Sequence, residues 1–273
     1  MESPEEPEDA VENRKVISGY SKNGLPYFRI GGGPRSLVIF GGLSFKHKAL
    51  SGLAVWGTSR RYIKFAEKFT TYYVGRKPGL PVGYSIQNMS EDYVTMIKNE
   101  IDTPVDLMGI STGGPVAQQL AGDHPELVHR LVLAMTGYRL IEGGAKLQRQ
   151  LIDLTMQRKW RAAAAVQAGM TSGPIKPIAT VVFWLLGKVV FENPVDPSDG
   201  VVELEAEDKF NFEKRLTEIK MPTLVIGGDH DCFYPIRETA ERIPSAKLIL
   251  YKNTGHTAML KPHFNRDILS FLG

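Results

Sequence analysis

The fold of this chain is decided by residues 105–114, which read VDLMGISTGG. The stretch begins as a short apolar strand, and its glycines then allow a tight turn at Ser111 into a helix. Glycines two positions before and after the serine permit close approach of neighbouring backbone, and the first N–H groups of the helix face the turn. This pattern is typical of a serine nucleophile raised above the edge of a sheet.

Strand-like and helix-like segments alternate on both sides of that stretch. Two short runs flanking Asn23-Gly24, at residues 15–20 and 26–30, predict an antiparallel hairpin. Further strands are predicted at residues 36–40, 70–74, 105–108, 130–135, 223–226 and 247–250. Helices are predicted at residues 60–68, 89–100 with Ser90 as N-cap, 112–122, 236–243 and 263–271. An antiparallel start followed by this alternation indicates an α/β fold, with a mostly parallel sheet covered on both faces.

Residues 138–205 interrupt the alternation. They carry helical patterns at residues 145–158, 159–170 and 177–190, followed by a turn-rich stretch at 193–200 and no strand pattern. We interpret this block as a helical cap, or lid, inserted into one domain whose core is formed by residues 14–137 and 206–273. Residues 1–13 are acidic and proline-containing, which predicts a disordered tail.

Composition excludes several classes of protein. A length of 273 residues suits one large α/β domain, and a net charge of +3 is too small to indicate a nucleic-acid partner. The single cysteine, Cys232, cannot form an intrachain disulfide, which indicates a reducing compartment. The acidic start is unlike a signal peptide, and the longest apolar run falls short of the roughly 20 residues of a membrane span. We therefore expect a cytoplasmic protein without a membrane span. The oligomeric state stays open.

A serine hydroxyl needs a base, and the base needs a group that orients it. Asp229 and Asp231 follow the strand predicted at 223–226, and His256 follows the strand at 247–250. The carboxyl ends of parallel strands are where open α/β sheets place their sites. Of the six histidines, His256 is the preferred base. The others are expected at the surface, at helix ends or, for His47, near the pocket.

Taken together, these motifs resemble the α/β-hydrolase fold family, in its serine-nucleophile form with a helical cap. The resemblance runs from about residue 15 to the end and rests on residues 109–113, residues 228–231 with Pro235, and Gly255-His256. It implies an eight-stranded, mostly parallel sheet. It also implies that Ser111 is the nucleophile and His256 the base. Asp231 is then the supporting acid, because it holds the family's acidic position four residues before Pro235, with Asp229 as competitor.

The family also stabilises the oxyanion with two backbone N–H groups. One would come from Thr112, the residue after the nucleophile. The other would come from the loop after residues 36–40, where relatives often carry His-Gly and this chain has Gly41, Gly42 and Leu43. Leu43 is the donor if Gly41 takes the place of the histidine, whereas Gly42 is the donor if Phe40 does. We prefer Leu43.

The resemblance implies a serine hydrolase that acts on a carboxylic ester or similar small acyl compound through an acyl-enzyme intermediate. No cofactor is expected, and no metal, because the histidines lack metal-ligand spacing. Two alternatives remain. One is a small-molecule receptor on the same fold that turns over slowly or not at all. The other is a different serine-triad reaction, such as C–C bond hydrolysis, aminopeptidase or perhydrolase chemistry.

Overall fold

The computed structural model describes residues 15–167, 176–190 and 196–273, so the predicted tail lies outside the described residues. Eight strands form one sheet in the order β1-β2-β4-β3-β5-β6-β7-β8. The strands are β1 (Ile17–Tyr20), β2 (Pro26–Ile30), β3 (Arg35–Phe40), β4 (Phe69–Val74), β5 (Val105–Ile110), β6 (Val128–Ala134), β7 (Thr223–Gly228) and β8 (Ala246–Tyr251).

Helices connect the strands from β3 onward. Those in the described part of the chain are α1 (Gly52–Ala66), α2 (Ile86–Glu100), α3 (Gly113–Asp123), α4 (Glu142–Met156), α5 (Trp160–Gln167), α6 (Lys176–Val190), α7 (Ser198–Asp208), α8 (Ile236–Arg242) and α9 (Phe264–Leu272). The last four strands of the sheet, β5 to β8, are neighbours and parallel, which places their carboxyl ends along one edge. The loops after β5, β7 and β8 therefore meet.

The sheet is mostly parallel, as the sequence predicts. Only the β1–β2 and β2–β4 pairs are antiparallel. The hairpin expected at Asn23-Gly24 is confirmed, with Tyr20 opposite Pro26 and Gly24 at a φ of +90°. A residue with a side chain adopts that backbone conformation only with strain, so glycine suits the turn.

Both faces of the sheet are covered. Along β3, Val38 and Phe40 point into one buried cluster, and Leu37 and Ile39 point into another on the opposite face. Helices α2, α3 and α8 pack on the first face, and α1 and α9 pack on the second. This alternation explains why the strands read as continuous apolar runs, since neither side of a central strand meets water.

Helices α4 to α7 lie between β6 and β7, in the block whose sequence interrupts the alternation. A third buried cluster joins α4, α5 and α7 to Phe45, which belongs to the loop after β3. Helix α7 is a structural finding that the sequence prediction missed. The turn-rich residues 193–200 hid its start, and the division expected at residues 205 and 206 falls within it.

Helix α6 carries the most apolar sequence of that block. The side chains of Ile178, Val181, Trp184 and Leu185 are exposed, although Phe183 packs against the third cluster. Within the described residues, no helix combines the length and the apolar character needed to cross a bilayer.

The start of α2 corrects one prediction. The sequence suggested a helix from residue 89 with Ser90 as N-cap, but the helix begins three residues earlier, at Ile86, and its N-cap is Ser85. The Ser85 hydroxyl accepts a hydrogen bond from the Asn88 backbone N–H at 3.1 Å, and the Asn88 side chain accepts one from the Ser85 N–H at 3.2 Å. Ser90 is instead fully buried. Asn replaces the usual Glu or Gln of this reciprocal cap, which is why the signal was overlooked.

We predict that Ser85→Ala lowers the free energy of unfolding by about 1 kcal/mol, because it removes the N-cap acceptor. The matched control is Ser90→Ala, which removes a buried hydroxyl that has no hydrogen-bond partner among the described residues. This control is expected to change stability by less than about 0.5 kcal/mol. Urea denaturation followed by circular dichroism measures both. The reverse order of effects would restore Ser90 as the cap.

Candidate active site

Ser111 lies at the turn between β5 and α3 with a φ of +51°, in the left-handed region. A side chain in this region costs on the order of 1–3 kcal/mol, which the surrounding structure must supply. Close packing leaves no room for side chains on either side. A Cβ on Gly109 would lie 2.7 Å from the Ala117 Cβ, and one on Gly113 would lie 2.3 Å from the Phe40 carbonyl oxygen. Those contacts explain the two glycines of the motif.

The structure brings the three predicted residues Ser111, His256 and Asp231 together. The Ser111 Oγ lies 2.8 Å from the Nε2 of His256, and the His256 Nδ1 lies 2.7 Å from the Oδ2 of Asp231. The side chains of His256 and Asp231 are 6% and 1% exposed, so water competes little for these hydrogen bonds. With the Nδ1 proton donated to Asp231, Nε2 is free to accept the proton of the serine.

The two candidate carboxylates have different partners. Asp231 uses its second oxygen, Oδ1, to accept the backbone N–H groups of Phe233 and Tyr234 at 2.9 and 3.1 Å. Asp229 accepts the backbone N–H of Thr254 at 3.1 Å and does not contact His256. The geometry therefore favours Asp231, whose carboxylate is fixed on one side by backbone and on the other by the imidazole.

The predicted oxyanion donors lie beside the serine. Thr112 is buried and is the N-cap of α3, so its N–H belongs to the free N-terminal groups of that helix. A Cβ built on Gly42 would lie 3.5 Å from the Ser111 Cβ, and Leu43 lines the same pocket as Ser111. Both alternatives for the second donor thus adjoin Ser111.

The pocket above Ser111 is mostly apolar. Its walls come from the loop after β3, from α4, α5 and α7, and from the segment before α8. The apolar lining consists of Leu43, Leu147, Leu151, Val166, Leu204 and Phe233, and the polar lining includes Gln148, Gln167, Glu207 and Tyr234. Helix α6, whose apolar run was a candidate roof, contributes none of the described lining residues.

The buried guanidinium of Arg76 contacts both the loop after β3 and the turn at Ser111. Arg76 Nη1 donates to the Gly41 carbonyl at 2.5 Å, and Nη2 lies 3.1 Å from the Thr112 Oγ1. Nη2 also lies 2.7 Å from an oxygen of Glu203 on α7, whose other oxygen is 3.3 Å from the His47 Nε2. This ion pair joins the helical block to the loop that carries Gly42 and Leu43.

The charge state of Glu203 follows from these neighbours. Burial is the largest single influence and would raise its pKa, but the charge of Arg76, the hydrogen bond and charge of His47 and the hydrogen bond of Thr112 together outweigh it and lower the pKa below its ordinary value. Burial also favours the neutral form of Arg76 and would lower its pKa. The carboxylate of Glu203 acts in the opposite direction, and the Arg76 pKa is raised above its ordinary value. The pair is therefore ionised in the folded protein.

One helical turn further along α7, Glu207 has the opposite charge state. Burial and the negative charge of Glu203 raise the pKa of Glu207 to about 8, against the opposing effect of a hydrogen bond from Tyr234. The Tyr234 hydroxyl donates to the Glu207 Oε1. The Ser111 side chain is also close to this hydroxyl and acts to lower the Tyr234 pKa. A carboxyl group that is mostly neutral at pH 7 thus lines the pocket of the serine.

The sequence analysis missed Arg76, Glu203, Glu207 and Tyr234. One signal was available, because Glu203 and Glu207 are four residues apart in the run VVELEAE and residues at that spacing lie on one helical face. His47 was considered as a pocket residue. It is buried against Glu203 and lines a neighbouring cavity of about 200 Å³ rather than the pocket of Ser111.

Metal binding was also considered. Across residues 15–167, 176–190 and 196–273, no three His, Cys, Asp or Glu side chains are grouped so as to hold a metal ion. The side chains of Ser111, His256 and Asp231 are instead hydrogen-bonded in series.

Comparison with known proteins identifies the family. Residues 55–264 match the sequence profile described as the Alpha/beta hydrolase family. This match covers more than half of the chain, so the chain belongs to the alpha/beta hydrolase family. Its reaction class is hydrolysis.

Three relatives indicate the breadth of that family. The chain is 37% identical over 81 residues to a non-heme chloroperoxidase of Kitasatospora aureofaciens, a match that spans 27% of this chain and 30% of that protein. It is 24% identical to a 2-hydroxy-6-oxononadienedioate/2-hydroxy-6-oxononatrienedioate hydrolase of a Pseudomonas species, over 89% of each chain. The crystal structure of the enol-lactonase from Burkholderia xenovorans LB400 superposes with a TM-score of 0.74 at 19% identity, covering 94% of this chain and 99% of that one.

We predict that Arg76→Met lowers the free energy of unfolding by about 3–5 kcal/mol, because it leaves Glu203 as a buried, unpaired carboxylate. Adding Glu203→Leu recovers part of the loss, and a double-mutant cycle from denaturant unfolding gives a coupling of about 1 kcal/mol or more. The control is Arg149→Met, which breaks the exposed pair with Asp208 at the end of α7. That change costs less than about 1 kcal/mol. Equal costs at both arginines would contradict the prediction.

Proposed function

We propose that the chain is a serine hydrolase that cleaves a carboxylic ester or similar acyl compound through an acyl-enzyme intermediate on Ser111. The observation that carries the proposal is the continuous hydrogen-bonded chain from the Ser111 Oγ through His256 to Asp231. Ser111, His256 and Asp231 have the mutual geometry that nucleophile, base and orienting acid require.

In the acylation step, Ser111 Oγ attacks the carbonyl carbon of the substrate while His256 Nε2 takes the hydroxyl proton. The negative charge that develops on the carbonyl oxygen is met by the N–H of Thr112 and by that of Leu43, with Gly42 as the alternative. Losing one such donor typically costs about 2.7–4 kcal/mol of transition-state stabilisation. His256 then gives the proton to the leaving alcohol, and the acyl group remains on Ser111.

Deacylation reverses the roles with water. His256 removes a proton from a water molecule, whose oxygen attacks the acyl carbon, and the same two N–H groups hold the second oxyanion. Collapse returns the proton to Ser111 and releases the acid. Asp231 accepts the hydrogen bond of His256 Nδ1 throughout and stabilises the imidazolium form of His256.

The lining of the pocket supports a small or medium acyl group. Leucine, valine and phenylalanine side chains form most of the wall, so an apolar acyl chain gains by leaving water there. The single cysteine supports action in the cytoplasm. The C–C hydrolase alternative is supported by the name of the Pseudomonas relative.

We predict that a fluorophosphonate probe labels Ser111 and that Ser111→Ala abolishes labelling. The variant also lowers hydrolysis of p-nitrophenyl esters by a factor on the order of 10⁴ or more. Mass spectrometry of the labelled peptide and initial rates over a series of acyl lengths measure the two effects. Undiminished ester turnover by a folded Ser111→Ala protein would overturn the proposal. Tight ligand binding with negligible turnover would instead favour a receptor.

A second pair of variants tests the acid. Asp231→Asn is expected to lower kcat by a factor of about 10³–10⁴, because the amide favours the wrong tautomer of His256. Asp229→Asn leaves kcat within a few-fold, since Asp229 contacts the backbone of Thr254 rather than the imidazole. If the larger loss occurred at Asp229, the assignment of the acid would be reversed.

A further inference from the structure

Glu207 is a carboxyl group in the pocket of Ser111 that the proposed reaction does not use. It belongs to α7, is 1% exposed, and lines the same pocket as Ser111, His256 and Tyr234. A buried carboxyl group in an otherwise apolar wall costs folding free energy unless its hydrogen bonds are made.

Only one of its two oxygens has a hydrogen-bond partner at ordinary distance among the described residues, although the Gln148 side chain also lies near enough to lower the Glu207 pKa. The Tyr234 hydroxyl donates to Oε1, whereas Oε2 is buried without a hydrogen-bond partner among the described residues. Burial and the neighbouring Glu207 raise the Tyr234 pKa well above its ordinary value, so the phenol remains a donor. Because Oε1 accepts that hydrogen bond, the proton of the neutral carboxyl group resides on Oε2.

Burial and the negative charge of Glu203 favour this neutral form, whereas the charge of Arg76 opposes it. The titratable groups of the surrounding elements are Glu203 on the same helix, Arg76 after β4, Tyr234 before α8, and His256 with Asp231 at the serine. Arg76 is paired with Glu203, and its charge lowers the Glu207 pKa by less than burial raises it. Burial raises the pKa of Glu207 to about 8, which leaves it mostly protonated at pH 7.

We propose that Glu207 is a specificity-determining residue whose Oε2–H donates a hydrogen bond to an oxygen acceptor in the acyl part of the substrate. The preferred substrates then carry a carbonyl, ether or similar oxygen in that chain, apart from the scissile carbonyl, within an otherwise apolar group. This inference rests on the proposed serine-hydrolase function and names its substrate class.

The same features disfavour the other ligands that a carboxyl group could bind. A substrate carboxylate would lie near the ionised Glu203, and the described lining of the pocket includes no Lys or Arg to balance its charge. A substrate ammonium group would require Glu207 to ionise. A purely alkyl chain would leave the Oε2–H without a hydrogen-bond acceptor. Enzymes reject an analogue that lacks an oxygen because it leaves a polar group of the site unpaired in this way.

The test compares p-nitrophenyl hexanoate with isosteric esters in which one methylene of the acyl chain is replaced by an ether oxygen, scanned along the chain. We expect kcat/KM to favour one ether position over hexanoate by about tenfold, the factor that one net hydrogen bond supplies. This ratio falls as pH rises through about 8, because the carboxylate of Glu207 repels the ether oxygen. Steps common to both esters cancel in the ratio.

Variants assign the effect to Glu207. Glu207→Leu reduces the ratio to about one, whereas Glu207→Gln keeps an N–H donor and retains a ratio that no longer depends on pH. Gln167→Leu removes another polar residue of the same pocket and keeps the wild-type ratio and pH profile. The inference would be overturned if Gln167→Leu abolished the preference for the ether ester and Glu207→Leu retained it. A preference for an aminoalkanoyl ester would also overturn it.

The outcomes separate the inference from the function on which it rests. Turnover of both esters at equal rates, unchanged in Glu207→Leu, overturns the role of Glu207 and leaves the serine hydrolase intact. Absence of turnover together with absence of fluorophosphonate labelling overturns the hydrolase and, with it, the inference.

Discussion

The left-handed backbone of Ser111 is the constraint on which the arrangement of this protein depends. The turn exists because β5 ends against α3 with glycines where any side chain would strike backbone or a neighbouring helix. It raises the serine oxygen above the sheet edge, and it points the first N–H groups of α3 at the same space. The energy stored there is small compared with the packing of β5, which is buried along its whole length.

The sheet order then determines which residues meet that serine. Strands β7 and β8 lie side by side, two and three positions along from β5, and their carboxyl ends share its edge. Asp231 and His256 reach Ser111 from those ends. Backbone N–H groups hold the carboxylate of Asp231 from behind, which keeps the imidazole in one orientation. The hydrogen-bonded chain is thus a product of strand topology as much as of the three side chains.

Two glutamates on α7 show how burial and neighbours set opposite charge states within one helical turn. Glu203 is ionised because Arg76 lies 2.7 Å away, and this pair ties the helical block to the loop beside the serine. Glu207 has no cation of its own, and its environment favours the neutral acid. The same residue type therefore provides a structural ion pair at one position and a hydrogen-bonding group in the pocket at the next.

The sequence alone determined the strands, most helices, the parallel sheet and the chain order of serine, acid and histidine. These follow from local signals, namely apolar runs, turn residues and a glycine-flanked serine. Local signals misplaced the start of α2 at Ser90 and missed α7, because Asn88 is an unusual capping partner and α7 follows a turn-rich stretch. Only the tertiary structure decided how Arg76, Glu203, Glu207 and Tyr234 surround the serine. Arg76 and Glu203, for example, are 127 residues apart in the chain, and the charge of a buried group depends on such distant neighbours.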